Sequence, residues 1–358
     1  MANLHFDENS IYAGAQAMND LPRAHMAAAK KYVDSDTELG MTALGIVGIP
    51  AISTYNGMRH EMQGNIKSGL DTIQKLADGL ATVAKNYGKA NAASTIQAGA
   101  QAIPYAPVKP VGSDVGTPEG WAMAVPGGPM LVIRALAIYI GLSSCSAVDK
   151  LCLISLGMWR LFKPDDDNLN KVAEAWVQIE KQLGATKTTV ETITKNQLGP
   201  TRWKTEGADN SKASFENFMS LTFFSELDET KSRAGTTHEK LRGMKEDLNL
   251  VQSVFFVYVM ACLAALITAF IASFYPPLKP AAEAAKKAVA TLLSIGTAGA
   301  LAAILALAAS KLSDIGSMWF GREQAFQPNR INEDGLTTNF SDVNKMNWNW
   351  TGGQVRQP

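Results

Sequence analysis

Catalysis and metal binding need particular side chains at particular spacings, and few stand out here. The four histidines are His5, His25, His60 and His238, and none has a cysteine or an acidic partner at ligand spacing. His60-Glu61 lacks the second histidine of a zinc-protease helix. There is no glycine-rich loop with a following Lys-Ser/Thr to cradle a phosphate, and no Gly-x-Ser-x-Gly elbow. The three cysteines, Cys145, Cys152 and Cys262, sit in apolar surroundings without a Cys-x-x-Cys pair. On a straight helix Cys145 and Cys152 would stand roughly 10 Å apart, too far for a disulfide, so all three read as small buried hydrophobes. Asp165, Asp166 and Asp167 form the one acidic cluster. No spaced ligand follows it, so these carboxylates read as the cap of a helix starting near Asn168 rather than as a metal site. The expectation is a protein that is not an enzyme and has no cofactor, no metal and no small-molecule substrate.

Net charge is zero, from 33 basic and 33 acidic residues, so no basic field points to nucleic acid. Charged residues are 18%, below the usual quarter, which suits a chain with long apolar segments. Alternating Val/Ile/Thr patterns do not persist, so the chain reads as all-α. The expected architecture is an elongated helical bundle of two helical hairpins, with a long apolar helical hairpin and a disordered C-terminal tail.

The first expected hairpin is residues 1–102. Ile11, Ala15, Met18, Met26, Ala29 and Val33 form one apolar stripe over residues 7–38, interrupted at Pro22, where a kink or a new start near Asp20 is expected. A bend over 40–50 (GMTALGIVGIP) leads to a second helix from about Thr54 to Ala93, striped by Met58, Met62, Ile66, Leu70, Ile73, Leu76, Leu80, Val83 and Tyr87. Each such hairpin leaves an apolar stripe that needs a partner, within the chain or in another subunit. Residues 103–129 are a Pro/Gly linker, and 130–162 hold two short apolar helices, each too short to span a bilayer. The second hairpin is residues 163–250. Its first helix is striped by Leu169, Val172, Trp176, Ile179, Leu183, Val190 and Ile193 and stops before Gly199-Pro200. Its return helix starts near Asp209 or Ser211.

Residues 251–310 dominate the chain's hydropathy. Val251–Tyr275 and Ala288–Ser310 carry no charge and flank a proline-bearing turn with Lys279, Lys286 and Lys287. Both runs are long enough for a hydrocarbon core of about 30 Å. A helix apolar all round is buried either in lipid or in a protein core, and both readings stand at this point. The residues expected to enter a membrane are Phe255, Phe256, Leu263, Leu266, Phe270, Leu292, Leu293, Leu301 and Leu305. Residues 311–358 read as a short amphipathic piece and then, from Gly321, a polar tail containing Trp348 and Trp350.

The bend of the second hairpin runs Gly199-Pro200-Thr201-Arg202-Trp203-Lys204-Thr205-Glu206-Gly207, with Phe215 on the return helix. This resembles the WXG-type proteins secreted by type VII (ESX) systems, in a larger two-hairpin form. Three residues stand between Trp203 and Gly207, where the family has one. Tyr87, followed four residues later by Asn91, is similar to that family's tyrosine-x-x-x-acid export signal, with Asn in place of the acid. The resemblance implies a helical protein exported without a Sec peptide, and the polar, acidic N-terminus has no Sec-type apolar core.

Three functions compete at this stage. The first is a non-enzymatic protein exported by, or associated with, a type VII-like system, whose apolar hairpin docks to or inserts in a membrane. The second is an α-helical pore-forming toxin or translocator that hides this hairpin until membrane contact. The third is a resident two-span membrane protein. All three expect membrane lipid as a partner. The first two expect a helical protein partner or self-association, and the chain to be found secreted or membrane-associated.

Overall fold

The fold is that of a computed structural model, which describes residues 5–41, 43–44, 49–94, 165–204, 211–274, 276–319 and 326. The expected linker and short apolar helices (103–162), Gly207, Trp348 and Trp350 lie outside the described residues. The described residues are all-α but for one pair of two-residue strands.

The first described elements are β1 (His5–Phe6) and α1 (Glu8–Asn19), whose first turn is capped by Asp7 through its side chain to the Ser10 N–H. Asp20 separates α1 from α2 (Leu21–Ser35), which begins with Pro22 in its first turn, where a missing N–H costs nothing. The expected break therefore falls at Asp20. Helix α3 (Ile49–Ser94) starts about five residues earlier than expected, because Pro50 fits a first turn as readily as Pro22 does. Helix α4 (Asp166–Asn196) is capped as expected: the Asp165 carboxylate accepts from the Asn168 N–H, with Asp166 and Asp167 in the first turn. It ends just before Gly199.

Strand β2 (Trp203–Lys204) pairs antiparallel with β1, Phe6 opposite Trp203. Next come the short α5 (Ser211–Asn217) and a six-residue π-helical segment (Phe218–Phe223). Helix α6 (Phe224–Ala272) then runs without interruption. A 3₁₀ turn (Pro276–Leu278) leads into α7 (Lys279–Trp319).

Two helices run through changes of composition. Helix α6 crosses residues 250–251, and α7 crosses 310–311, because no glycine or proline breaks the backbone where the composition changes from polar to apolar. The buried positions of α6 continue across the change: Leu241, Met244, Leu248, Phe255, Val259, Cys262, Leu266 and Ala269. In α7 they run Leu293, Thr297, Ile304, Ala308, Leu312, Ile315 and Trp319. Spacings of three and four, with one step of seven in each helix, keep one seam facing the partner helix, as in a left-handed coiled coil.

The packing closes a circuit. Helices α1 and α2 pack on α3, α2 packs on α4, α4 on α6, α6 on α7, and α7 returns to α3. The open stripes expected of the two hairpins are thus filled within the chain. Three buried tryptophans hold the circuit together. Trp176 Nε1 donates to Tyr55 Oη (3.0 Å), Trp203 Nε1 to Tyr87 Oη (3.1 Å) and Trp319 Nε1 to Thr237 Oγ1 (3.0 Å). Trp319 also lies 5.5 Å from the Trp176 ring, so the last turns of α7 belong to the core rather than to a tail. Phe326 corrects the tail expectation at one further point: it is buried, against Gly69 of α3 and 5.9 Å from the Phe223 ring.

Candidate functional site

Two regions stand out, at opposite ends of the bundle. The first is aromatic. Tyr87, near the end of α3, is fully buried, stacked on Phe6 at 4.4 Å and edge-on to Trp203 at 6.5 Å. Phe215 lies 5.8 Å from Trp203 on another side, and Lys212 Nζ stands 5.8 Å from the Trp203 ring while donating to the Leu198 carbonyl. Strand β1 fastens this cluster: the Asp7 N–H donates to the Arg202 carbonyl, and Arg202 pairs with the Asp7 carboxylate at 3.3 Å.

The structure thus brings together Tyr87, Trp203 and Phe215, singled out from distant stretches of sequence. It places Tyr87 inside, its hydroxyl bonded to Trp203, and Asn91 outside, bonded to Glu8 at 3.3 Å. Sequence reading did not find Phe6 or Lys212. Phe6 stood in a polar, aperiodic stretch, and only the strand pairing reveals its place.

The second region is the outer part of the α6–α7 hairpin. Alongside α6, α4 runs antiparallel and ends at Asp166, whose carboxylate accepts from Asn249 Nδ2 at 3.2 Å. Lys245 reaches Asn170 and Lys187 reaches Asp228 along the same contact. Past Asn249, α6 has left α4 behind and runs on beside α7. The ion pair Asp247–Lys311 (3.2 Å) marks the last charges on this side. The next charges are Lys279, Glu283, Lys286 and Lys287, at the far end. Between Lys287 and Lys311 the charge-free part of α7, Ala288–Ser310, extends roughly 34 Å.

Within this layer the two helices face each other through the seam and present an apolar outer face. Tyr258 Oη donates across the hairpin to the Leu292 carbonyl at 2.5 Å. A Cβ at Gly296 would overlap the Tyr258 ring, so glycine there is what lets the ring cross. On the outside, Val254, Val257, Ile267, Ile271, Leu292, Ile295 and Leu305 are exposed. Only 22% of the most apolar 18 residues of each helix are buried. Both helices have the length and composition to cross a membrane.

The nine residues expected to enter a membrane divide by face. Phe255, Leu266 and Leu293 point into the seam; Phe256, Leu263 and Leu301 are half-buried; Leu292 and Leu305 face outward. The side chain of Phe270 lies outside the described residues. Among the described residues, none covers the outer face of this hairpin.

Other reactive groups are occupied or isolated. His25 Nδ1 bonds Gln182 Oε1 at 2.7 Å, and His60 is exposed. Burial raises the Tyr55 phenol far above its ordinary value, against the lowering effects of the Trp176 N–H and the Arg59 charge. Among the described residues no group of three His, Cys, Asp or Glu is arranged to hold a metal ion. No protein-family model, curated protein or solved structure matches this chain.

Proposed function

We propose that this chain is a non-enzymatic membrane protein, whose α6–α7 hairpin enters the bilayer from one side and leaves the helical bundle outside. One observation carries the reading: both helices of the hairpin expose an apolar outer face in a charge-free layer as thick as a hydrocarbon core. In water that face would be an unusually large apolar patch. In lipid it needs no further partner, while the seam and the Tyr258–Leu292 hydrogen bond hold the two helices together.

A second reading is favoured by the composition of one side of α7. Ala298, Gly299, Ala302, Ala303, Ala306 and Ala309 are exposed, and small residues let helices approach closely in membranes. Several hairpins would then associate, as in the pore-forming alternative. A copy-to-copy contact, rather than the chain's own bundle, would cover the hairpin before insertion. Export by a type VII-like route remains part of the proposal. It is supported by the meeting of Trp203 and Tyr87, which carry that resemblance, at one end of the bundle. Because Tyr87 is buried, it would act as a signal only once that end opens.

The test is separation of producing cells, without detergent, into cytosol, carbonate-washed membrane and culture medium. Full-length protein held in the washed membrane is expected. Monomeric protein confined to cytosol or medium would overturn the membrane reading.

A further inference from the structure

The end of the bundle from which the hairpin emerges carries another exposed apolar group. The turn after α2 is tightly held. The Asn56 side chain accepts from the Leu39 N–H (3.2 Å) and donates to the Leu39 carbonyl (2.9 Å). The Gly40 N–H donates to Asn168 Oδ1 (3.1 Å), the Ala43 N–H to the Gly40 carbonyl (2.9 Å), and the Asp165 N–H to the Ala43 carbonyl (2.9 Å). Leu39, Ala43 and Leu44 are buried, yet Met41 between them is 70% exposed. Leu39, Gly40 and Ala43 are held by these hydrogen bonds while Met41 presents one long apolar side chain outward, the arrangement of an anchor.

Its level is fixed by hydrogen bonds. Ala43 is bonded to Asp165, the next residue Asp166 accepts from Asn249, and Asn249 is followed by Leu250 and Val254, both exposed at the base of the hairpin. Met41 therefore stands beside the point where α6 leaves the bundle.

We propose that Met41 is a second membrane contact, which enters the interfacial layer of the bilayer that the hairpin spans. This rests on the membrane reading above. The surroundings select the lipid. Asp165, Asp166 and Asp167 lie next to the turn, and no Lys or Arg among the described residues pairs with them. Among the described residues, the nearby basic groups are engaged: Arg59 with Glu38, Lys171 with Asp36, Lys311 with Asp247, and Lys245 with the Asn170 side-chain carbonyl. The contact therefore suits zwitterionic headgroups, and anionic lipid would repel it.

The test uses the full chain with Cys145, Cys152 and Cys262 replaced by alanine. A single new cysteine, Met41→Cys or Ile295→Cys, carries an environment-sensitive fluorophore. The chain is reconstituted in phosphatidylcholine vesicles bearing quenchers at shallow or deep acyl positions. The Met41 probe should be quenched by the shallow label and the Ile295 probe by the deep one. Replacing a third of the lipid with phosphatidylglycerol should not strengthen quenching at position 41. A quenched Ile295 probe with an unquenched Met41 probe would overturn this inference and leave the hairpin in the membrane. If neither probe is quenched, the membrane reading falls, and this inference with it. Quenching at 41 only with phosphatidylglycerol would overturn the choice of lipid. If the cysteine-free chain loses its helical circular dichroism, a photo-reactive phenylalanine analogue at position 41 of the native chain replaces the probe. A phosphatidylcholine adduct then supports the contact, and its absence beside an adduct from position 295 refutes it.

Discussion

Replacing Ile295 by aspartate separates lipid from protein as the cover of the hairpin. Ile295 is 65% exposed, on the outer face of α7 and away from the seam. It lies about 6 Å along the helix from the midpoint of the charge-free layer. At the centre of a spanning helix an isoleucine contributes about −0.3 to −0.6 kcal/mol, and an aspartate costs about 2.5 to 3.5 kcal/mol. Taking the lower end for the offset from the midpoint, Ile295→Asp weakens insertion by about 3 kcal/mol, roughly a hundredfold in the ratio of inserted to free protein. The bundle should be indifferent, since a surface change away from the core shifts stability by about 0.5 kcal/mol or less. Flotation with phosphatidylcholine vesicles on a density gradient reads the first quantity, and thermal melting followed by circular dichroism reads the second. Ser232→Asp, an exposed change within the bundle, is the control and should float like the native chain. Native-like flotation of Ile295→Asp with an unchanged melt would refute the reasoning, because the face would then be covered by protein. Leu266→Asp or Leu293→Asp would not serve, since both residues face the seam and a charge there breaks the helix pair itself.

Three further outcomes follow from the packing. Gly296→Val forces a branched side chain onto the Tyr258 ring; about 1–3 kcal/mol of hairpin stability should be lost, seen as faster proteolysis of the detergent-solubilised chain, and native-like resistance would mean the helices do not cross there. Trp203→Phe leaves the buried Tyr87 hydroxyl without its indole donor and should cost about 1–3 kcal/mol in denaturant melts, and the double variant with Tyr87→Phe should recover part of that loss; strictly additive losses would deny the pair. Because folding raises the Tyr55 phenol above its ordinary 10, the folded chain keeps a proton that the unfolded chain releases, so stability should hold below pH 10 and fall as pH rises beyond it, a limb that Tyr55→Phe flattens; an equal slope in that variant would assign the effect elsewhere.

Local signals located most of the helices. Asp165 caps α4, Pro22 sits in a first turn, and α4 stops before Gly199, each for reasons confined to a few neighbouring residues. The two apolar helices were legible from composition alone, but their faces were not. Val254 and Phe255 are equally apolar neighbours, and only the partner helix decides that Phe255 turns inward and Val254 outward. The same holds for Ile295 beside Leu293. At 250–251 hydropathy changes while backbone preference does not, so one helix carries both environments. The aromatic end depended on contacts between residues far apart in the chain: Tyr87 with Trp203, and Phe6 with both. Phe326 escaped because a lone aromatic in a polar stretch has no periodicity to read.

The continuity of α6 has a mechanical consequence. Its buried seam passes from Leu241 to Leu266 without a change of face, so the membrane-type segment and the bundle segment share one axis. A hairpin crossing the bilayer near its normal therefore stands the bundle upright, with Met41, Asp165 and Asn249 against the headgroups. Helix α3 then runs away from the membrane, from Tyr55, clamped by Trp176, to Tyr87, clamped by Trp203, a distance of about 48 Å. Each end of that helix is fastened by a buried tyrosine that accepts an indole N–H. With the hairpin in a bilayer as proposed, the aromatic end, with β1 and the Trp203 bend, would be the part of the described fold farthest from the lipid. A helical partner of this protein would meet that end without competing with the bilayer for the hairpin.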